Sequence, residues 1–464
     1  MGDAYPLVVI GGGLSGLAAG IRAARFGHKV LIVEKHQKAG GLNSYYRRRG
    51  MLFETGLHAM TNFAPPGDRH APLNRLFRQL KLPRKKIVTH EQFSSRVVFP
   101  DGVSLSFSND FNCLSDEVAR LFPHAIDRFR QLVSLVDRYD PFTPRPFVST
   151  REQLTDRLGD ELLCNMLLWP LMMYGNSVEH DMDFSQFVIM FRAVFQEGFF
   201  RPDGNIKDFL DYLLAHYRAL GGEIRFDAGV ESFMMKDGMV RGLCLEDGEE
   251  ILCDFVVSTA GYPATLGFMG VKDRELVSPY EGRVSFMEII YLLARPVPPG
   301  LSSGNTIIFY NLSKPFAYCR PSQPVETMSG VICFPDNFQG VASGDTMQLR
   351  ITHPANYDLW QQADREQYRA MKEEWQGESQ RVTAEIIGNY KQNIIYQDSF
   401  TPLTIERYTG KRQGAVYGSP VKIKDGVTGS PNLFVAGTDQ GYLGIVGSML
   451  SGVTMVNNHI LGKI

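Results

Sequence analysis

The chain has 464 residues, of which 44% are hydrophobic and 21% are charged. This composition excludes a disordered chain and a small disulfide-stapled scaffold, and it predicts two or three folded domains. Its 48 lysines and arginines nearly balance its 50 aspartates and glutamates, so no basic field is present to hold a polyanion, and nucleic acid is not expected as a partner.

The first forty residues are predicted to form one β-α-β unit. A short apolar strand at residues 7–10 leads into a helix of small residues at 14–26, and a second strand follows at 29–34. Gly27 is expected to close the helix. The N-terminal apolar run has no positive start and breaks into glycines, so it is predicted as a strand and not as a signal peptide.

The rest of the chain changes pattern several times. The predicted elements are a mostly helical insertion at 73–193, an α/β stretch at 204–260 with a helix at 206–220, an antiparallel sheet with hairpin connections at 284–352, a long polar helix at 365–392, a strand at 432–436 and an apolar helix at 443–460.

This order predicts an α/β fold with two domains interleaved in sequence. The predicted nucleotide-binding domain is discontinuous and comprises residues 1–72, 204–265 and 395–464. The predicted substrate domain is an α+β insertion comprising residues 73–203 and 266–394.

The glycines between the first strand and helix point to dinucleotide binding. Residues 11–16 read G-G-G-L-S-G and fit G-x-G-x-x-G, where bare glycines let a diphosphate approach a helix N-terminus. Glu34 ends the next strand, where a carboxylate accepts hydrogen bonds from both hydroxyls of an adenosine ribose. The same carboxylate repels a 2′-phosphate, so NADP is not expected.

The fingerprint leaves NAD and FAD open, and three further features favour FAD. A second glycine pair, Gly40-Gly41, follows Glu34 closely. Residues 229–231 and 258–261 suit the adenine end of such a sheet. At the C-terminus, a strand and a glycine turn lead into another helix N-terminus, where Asp439 is a candidate ligand of the ribityl hydroxyls and the helix dipole faces the flavin.

These motifs together resemble the flavin-containing amine oxidase superfamily over nearly the whole chain. Within it, F-E-T-G-L-H at 53–58, T-P-L-T at 401–404 and G-A-V-Y-G at 414–418 resemble the branch of phytoene desaturases, carotenoid isomerases and retinol saturases. The chain departs from related sequences at Gly437-Thr438-Asp439, where these often have Gly-Asp. It also lacks the Ser-Gly-Gly-Cys element of cysteinyl-FAD enzymes.

The resemblance implies a Rossmann-like FAD-binding domain with the flavin ring at the domain interface. It also implies an FAD-dependent oxidoreductase that acts on a hydrophobic polyene or isoprenoid substrate by hydride transfer with flavin N5. The residues expected to bind the cofactor are Gly11, Gly13, Leu14, Ser15, Gly16, Glu34, Lys35, Gly41, Leu42, Asn43, Val230, Ala260, Asp439 and Ile445.

His58 and Tyr442 are the candidate catalytic residues, because one follows a motif expected to pass the flavin and the other opens the C-terminal helix. Packing roles are the alternative for both. An amine or amino-acid oxidase, with Arg192 or Arg201 as substrate anchor, is a second interpretation of the chain. A non-catalytic lipid carrier on the same fold is a third. No H-E-x-x-H spacing or G-x-S-x-G elbow indicates metal hydrolysis or serine chemistry.

Two further patterns bear on the partners. Segments 162–175 and 184–200 are rich in Leu, Met and Phe and form either a ligand tunnel or helix core. Residues 73–80 give an amphipathic helix with interleaved arginines, which either lies on an anionic membrane surface or packs on its own domain. No second dinucleotide fingerprint identifies an electron acceptor.

The cysteines and the hydropathy bear on the location of the protein. The six cysteines lie far apart without a C-x-x-C pair, which is typical of a protein in a reducing compartment. No stretch supplies the roughly 20 apolar residues of a spanning helix. A cytoplasmic protein is therefore expected, with peripheral membrane contact as an addition.

Overall fold

The computed structural model describes residues 4–56, 58–301 and 304–464, so Leu57 of the F-E-T-G-L-H motif lies outside the described residues. The strands are β1 (Ala4–Ile10), β2 (Val30–Val33), β3 (Tyr45–Arg48), β4 (Met51–Glu54), β5 (Thr89–Glu91), β6 (Ser94–Val98), β7 (Ser104–Phe107), β8 (Phe200–Pro202), β9 (Glu223–Arg225), β10 (Val230–Lys236), β11 (Met239–Leu245), β12 (Glu250–Ser258), β13 (Ser285–Ala294), β14 (Asn305–Asn311), β15 (Ser329–Cys333), β16 (Thr346–Ala355), β17 (Ile394–Phe400) and β18 (Leu433–Val435).

The helices are α1 (Leu14–Ala24), α2 (Pro72–Leu80), α3 (Phe111–Leu121), α4 (Ile126–Arg138), α5 (Thr150–Leu158), α6 (Glu161–Gly175), α7 (Phe184–Phe191), α8 (Ile206–Ala219), α9 (Tyr262–Phe268), α10 (Arg274–Val277), α11 (Tyr357–Gln362), α12 (Arg365–Ile387), α13 (Pro402–Thr409) and α14 (Gly444–Met455).

The first sheet has the strand order β10-β11-β12-β1-β2-β9, and β18 pairs with β12 beside this path. Strands β1, β2, β9, β12 and β18 are parallel where they pair, whereas β10 and β11 form an antiparallel meander leading into β12. The β-α-β unit predicted from the first forty residues is confirmed. Gly27 follows α1 with φ +84°, as the helix end requires.

Helix α1 packs so closely against β1 and α14 that neither contact has room for a side chain. A Cβ at Gly16 would lie 1.9 Å from the Gly11 carbonyl oxygen at the end of β1. A Cβ at Gly452, on α14, would lie 2.0 Å from the Ser15 carbonyl oxygen. The glycines therefore let the start of α1 lie directly between β1 and α14.

The second sheet has the order β17-β13-β16-β15-β14-β6-β7. Its neighbours are antiparallel except for β6 and β14, which run parallel, so the predicted hairpin sheet is confirmed with this one difference. One face packs with α12 around a core that includes Ile289 and Ile351. The other face, which includes Phe286 and Val331, packs with the helices between residues 111 and 191.

The prediction of a mostly helical segment at 73–193 is wrong for residues 89–107, which form β5, β6 and β7. The hairpin between β6 and β7 turns at Asp101-Gly102, both with positive φ (63° and 77°). Flanked by alternating apolar residues, this Asp-Gly pair is a hairpin signal that the helical interpretation overlooked. Helix α12 ends at Ile387, before the predicted 392, because Gly388 terminates it with φ +86°.

The packing differs from the predicted domain boundaries at two points. Helix α2 buries its apolar side chains, including Leu73 and Phe77, in the core that covers the first sheet. Its apolar face is therefore not free to lie on a membrane. Strand β17 pairs with β13, so residues 395–400 lie in the second sheet and not in the predicted nucleotide-binding domain.

No helix in the described part of the chain is both long and apolar enough to cross a membrane.

A histidine lies buried within the second sheet and its helix. His353 donates from Nδ1 to the Ser329 carbonyl (2.9 Å) and accepts at Nε2 from the Ser379 hydroxyl (2.7 Å). Burial lowers the pKa of His353 from its ordinary 6.5 to about 4, although hydrogen bonds to the backbone act in the opposite direction. The imidazole is therefore neutral in the folded protein at pH 7.

This histidine makes the stability of the fold sensitive to acid. Because its pKa is lower in the folded state, the unfolded chain binds more protons between pH 6.5 and 4, and stability falls as pH falls through that window. Across this window, the free energy of unfolding falls by on the order of 3 kcal/mol because of this one residue. We expect the thermal unfolding midpoint of His353→Gln to fall less between pH 7 and pH 4.5 than that of wild type. The exposed His70→Gln serves as the control, and equal pH sensitivity of all three proteins would contradict this assignment.

Candidate functional site

A cavity of about 460 Å³ lies between the two sheets. Its walls include the ends of β1 and β2, the first residues of α1 and α14, and one face of the second sheet. Its volume is typical of small-molecule sites, which occupy roughly 300–1,000 Å³. The lining changes in character from one end of the cavity to the other. Glycine turns and the Glu34 carboxylate form one end, and mainly apolar side chains form the other.

The glycine end is shaped for close approach of a ligand to the backbone. Gly11 has φ +99°, and a Cβ there would lie 2.4 Å from Thr259 Oγ1. Gly40 and Gly41 also have positive φ, and the Gly40 amide donates to the Gly12 carbonyl (2.9 Å). The two glycine turns therefore lie side by side along one wall of the cavity.

Ser15, in the first turn of α1, is the clearest sign of an anionic ligand. The residue is 6% exposed and lines the cavity, yet its hydroxyl has no hydrogen-bond partner among the described residues. Buried hydroxyls normally have a partner. A phosphate oxygen at the α1 N-terminus would satisfy it, so the residues present fit a dinucleotide diphosphate.

Glu34 closes the same end from β2. Its Oε2 accepts from the Gly12 amide (2.6 Å) and its Oε1 from the His36 amide (2.9 Å), which fix the carboxylate against the glycine turn. Each oxygen keeps a further lone pair for a ribose hydroxyl. Lys35 is held by Glu246 (2.7 Å) at this end.

Helix α13 covers the cavity from the other side. The Tyr408 ring lies 5.8 Å from the His36 ring, centroid to centroid. Lys411, just after the helix, donates from Nζ to the Thr438 hydroxyl in the turn before α14. Tyr408, Lys411 and Thr438 all line the cavity, so α13 and the residues after it form part of its wall.

A buried charge network lies at the other end. His58 Nε2 is 3.2 Å from Glu288 Oε2 and 3.0 Å from Thr352 Oγ1. Glu288 also accepts from Arg350 Nε (2.6 Å), and Arg350 donates to the Thr55 carbonyl (2.7 Å). Burial opposes the charge on Glu288, but the Arg350 guanidinium and His58 outweigh it and lower the pKa of this carboxyl. Glu288 is therefore a carboxylate facing the imidazole.

The register of the second sheet places these groups together. Glu288 on β13 lies opposite Thr352 on β16, which in turn lies opposite Val331 on β15. Opposed residues share a face of the sheet, and all three line the cavity. These strands thus contribute one carboxylate, one hydroxyl and apolar side chains to the described lining of the cavity, and Arg350, on the same face as Thr352, pairs with the carboxylate.

Apolar and aromatic side chains form the rest of this end, namely Ala59, Met173, Tyr174, Phe286, Val331, Val416, Tyr417 and Leu443. Burial raises the pKa of both tyrosines, so their phenols are neutral. The Tyr417 hydroxyl donates to the Met173 carbonyl. The Tyr174 hydroxyl has no partner among the described residues and remains available as a neutral donor.

Most of the residues predicted from the sequence meet at this cavity. Its lining includes Gly11, Gly13, Leu14, Ser15, Glu34, Lys35, Gly41, Leu42, Asn43, His58, Val230, Ala260 and Ile445. Gly16, Asp439 and Tyr442 are not in the lining. Gly16 instead provides the contact between α1 and β1.

Asp439 and Tyr442 have surroundings that differ from the expectation. The Asp439 carboxylate is buried and accepts from the backbone amides of Tyr262 (2.6 Å) and Ser419 (2.9 Å), so it ties two loops together behind Thr438. Tyr442 stacks on Phe142 with centroids 5.6 Å apart. In the structure these two residues support the walls, whereas their neighbours Thr438 and Leu443 reach the cavity.

Several lining residues were not singled out from the sequence. Tyr417 lies within the G-A-V-Y-G segment, and Met173 and Tyr174 end the Leu/Met-rich segment 162–175. The remaining residues of that segment and all of 184–200 are absent from the lining, which favours the helix-core interpretation for them. Glu288 is recognisable in the sequence as a candidate site residue, because it is a lone carboxylate in an apolar strand.

Known proteins resemble this chain in sequence and in fold. The family model described as flavin containing amine oxidoreductase matches residues 14–281, more than half of the chain. All-trans-retinol 13,14-reductase of Homo sapiens is 25% identical, over 98% of this chain and 85% of that protein. The chloroplastic prolycopene isomerase of Daucus carota is 23% identical, over 92% of this chain and 74% of its own. An oxidoreductase from Methanosarcina mazei shares the fold, with a TM-score of 0.68 and 18% identity over 97% of this chain and 100% of that one.

The unpartnered serine gives a direct test of the diphosphate site. Ser15→Ala removes no hydrogen bond to any of the described residues, so we expect the FAD-free protein to melt at the same temperature or higher. FAD should bind about 10-fold or more weakly, because a donor to a charged oxygen is lost. Titration of flavin fluorescence measures this, with the exposed helix residue Ser134→Ala as control. Unchanged FAD affinity in Ser15→Ala would place the diphosphate elsewhere.

Proposed function

Because the chain belongs to the flavin-containing amine oxidoreductase family and is an FAD-dependent oxidoreductase, we propose that it acts on a hydrophobic polyene or isoprenoid substrate, as a desaturase, saturase or isomerase. The observation that carries the proposal is the apolar end of the cavity, where the described charges are paired with one another. Relatives named for retinol and prolycopene, both polyenes, support it.

The cofactor residues divide along the cavity. We assign Glu34 and Val230 to the adenosine end, and Gly11, Gly13 and Ser15 to the diphosphate. The N-terminus of α14, at Gly444 and Ile445, is assigned to the flavin ring, where its dipole favours negative charge. When bound there, FAD supplies hydride acceptance or donation at flavin N5.

His58 is assigned to proton handling at the substrate end. The Glu288 carboxylate, held ionised by Arg350, favours the tautomer with a proton on Nε2 and fixes the orientation of the ring. Nδ1 has no partner among the described residues and is the nitrogen that takes up or delivers a proton at a substrate carbon. Glu288 thereby acts through His58 as a positioning residue.

The apolar walls exclude water from this end. Phe286, Val331 and Leu443 are each less than 5% exposed and line the cavity beside the charge network. A dry pocket strengthens the interaction between Glu288 and the imidazole, and it suits a substrate without charged groups. Shape is then the main source of recognition, and the Tyr174 hydroxyl is the free donor that can orient a polar end group.

The same geometry disfavours an amino-acid oxidase. Such an enzyme needs a cation beside the ring to hold the substrate carboxylate, and Arg192 and Arg201 were the candidates. Arg192 donates to the Tyr139 carbonyl (2.8 Å), and Arg201 is held by Glu54 (2.7 Å). Neither arginine is in the described lining of the cavity.

A substrate panel tests the proposal. Purified protein is mixed anaerobically with polyenes, retinoids and amines, in both its oxidised and reduced forms, while flavin absorbance is recorded and products are separated by chromatography. We expect a polyene or retinoid to be isomerised, or to change the flavin redox state, and amines to be inert. Reduction of the flavin by an amine, followed by peroxide release when oxygen is admitted, would establish the amine oxidase alternative. Protein without flavin bands after reconstitution with FAD would favour the carrier alternative.

The proton role of His58 has its own test. We expect His58→Gln to lower turnover of the identified polyene about 10²- to 10⁴-fold, since general acid-base catalysis contributes that much. The flavin spectrum should remain unchanged, because FAD contacts are retained. His90→Gln, outside the described cavity lining, is the matched control. Turnover of His58→Gln equal to that of the control would remove the proton role from this residue.

A further inference from the structure

Two lysine ammonium groups converge on one threonine in the turn before α14. Lys411 donates from Nζ to the Thr438 hydroxyl and lines the cavity. Lys422 donates from Nζ to the carbonyl oxygens of Tyr417 (2.9 Å) and Thr438 (3.0 Å), behind the cavity wall. Neither lysine belongs to the glycine fingerprint, and no role for them follows from the sequence motifs.

The position of Lys411 relative to the glycine turn follows from two contacts. Tyr408 packs against His36, two residues beyond Glu34 at the adenosine end. Three residues later, Lys411 contacts Thr438, whose neighbour Gly437 would place a Cβ 3.8 Å from Ser15 Oγ. The segment from 408 to 411 therefore crosses the cavity over the part assigned to the diphosphate.

Among the described residues, the positive charge of these two lysines exceeds the negative charge that acts on both of them. The acidic group that acts on both ammonium groups is the Asp439 carboxylate, which already accepts two backbone amides. Two half-buried lysines thus share the charge of this one carboxylate. Burial lowers the pKa of Lys411, and it lowers the pKa of Lys422 to about 7, with Asp439 opposing the shift and Lys411 adding to it.

We propose that Lys411, with Lys422 behind it, is the cationic half of the diphosphate-binding site, facing the N-terminus of α1 across the cavity. The proposal rests on the assignment of this cavity to FAD. Lys35, the other lysine in the described lining, is held by Glu246, whereas Lys411 contacts a neutral hydroxyl. A diphosphate carries the negative charge that this cluster lacks, and ammonium groups are common phosphate partners.

The site makes FAD affinity depend on pH. A bound diphosphate holds the lysines protonated and so raises the pKa of Lys422 above its value in the free protein. FAD then binds most tightly below pH 7, where the free protein already carries the proton, and affinity falls as the pH rises above 7. Binding near neutral pH takes up a fraction of a proton.

The experiment measures FAD binding to the 464-residue chain from pH 6 to pH 8.5, and ADP binding at pH 6.5 alone, because the terminal phosphate of ADP itself titrates in this range. ADP is the second probe because it carries a diphosphate without a flavin. We expect Lys411→Met to weaken both ligands about 10- to 100-fold at pH 6.5, the range for a charged hydrogen bond. Lys411→Arg should retain most of the affinity. Lys422→Met should flatten the pH dependence, whereas the exposed Lys314→Met should behave as wild type in both respects.

The outcomes separate this proposal from the proposed function. If wild type binds FAD and Lys411→Met binds FAD and ADP equally well, the lysine site is overturned and the redox assignment stands. A loss for FAD alone also overturns it, since the contact would then be with the flavin half. If Lys411→Met does not fold, a pH-independent affinity of wild type overturns the proposal. Wild type that binds no FAD contradicts the proposed function itself.

Discussion

The close crossing of α1 with β1 and α14 is the constraint on which the site depends. At Gly16 and Gly452 the backbones meet with no side chain between them, and a Cβ at either position would overlap a carbonyl oxygen. A larger residue at either contact would move one helix away from the cavity. Because both helices begin at the cavity, these two contacts aim the positive ends of two helix dipoles at the same cavity.

The electrostatics of the cavity change along its length. The end that we assign to the adenosine carries Glu34, the middle carries two helix N-termini and Lys411, and the far end carries Glu288 paired with Arg350. A buried ion pair adds little to stability, because desolvation offsets the attraction between its charges. Here the pair serves to keep a carboxylate ionised beside His58 without leaving net charge. The far end can thus combine a dry surface with a polarised imidazole.

Local patterns in the sequence predict the features that depend on neighbouring residues. The β-α-β unit, Gly27 and the glycine cradle are of this kind, since propensity and turn chemistry act over a few residues. Asp439 and Tyr442 lie outside the described lining, whereas their chain neighbours Thr438 and Leu443 reach the cavity. Lys411 and Glu288 contact partners far away in sequence, namely Thr438 and Arg350. Such pairings depend on strand register and on the paths of the loops, and the periodic pattern of apolar residues in the sequence specifies neither.

The F-E-T-G-L-H motif shows how long-range contacts fix one histidine, His58, from two sides. Glu54 accepts from the Ile206 amide at the start of α8 (2.7 Å) and from Arg201 (2.7 Å). Arg201 also donates to the His58 carbonyl (3.3 Å), so the backbone of the histidine is tied to the wall that carries α8. Its side chain is held by Glu288 on the second sheet. A displacement of either sheet would therefore strain the same residue, which couples the position of the imidazole to both halves of the cavity.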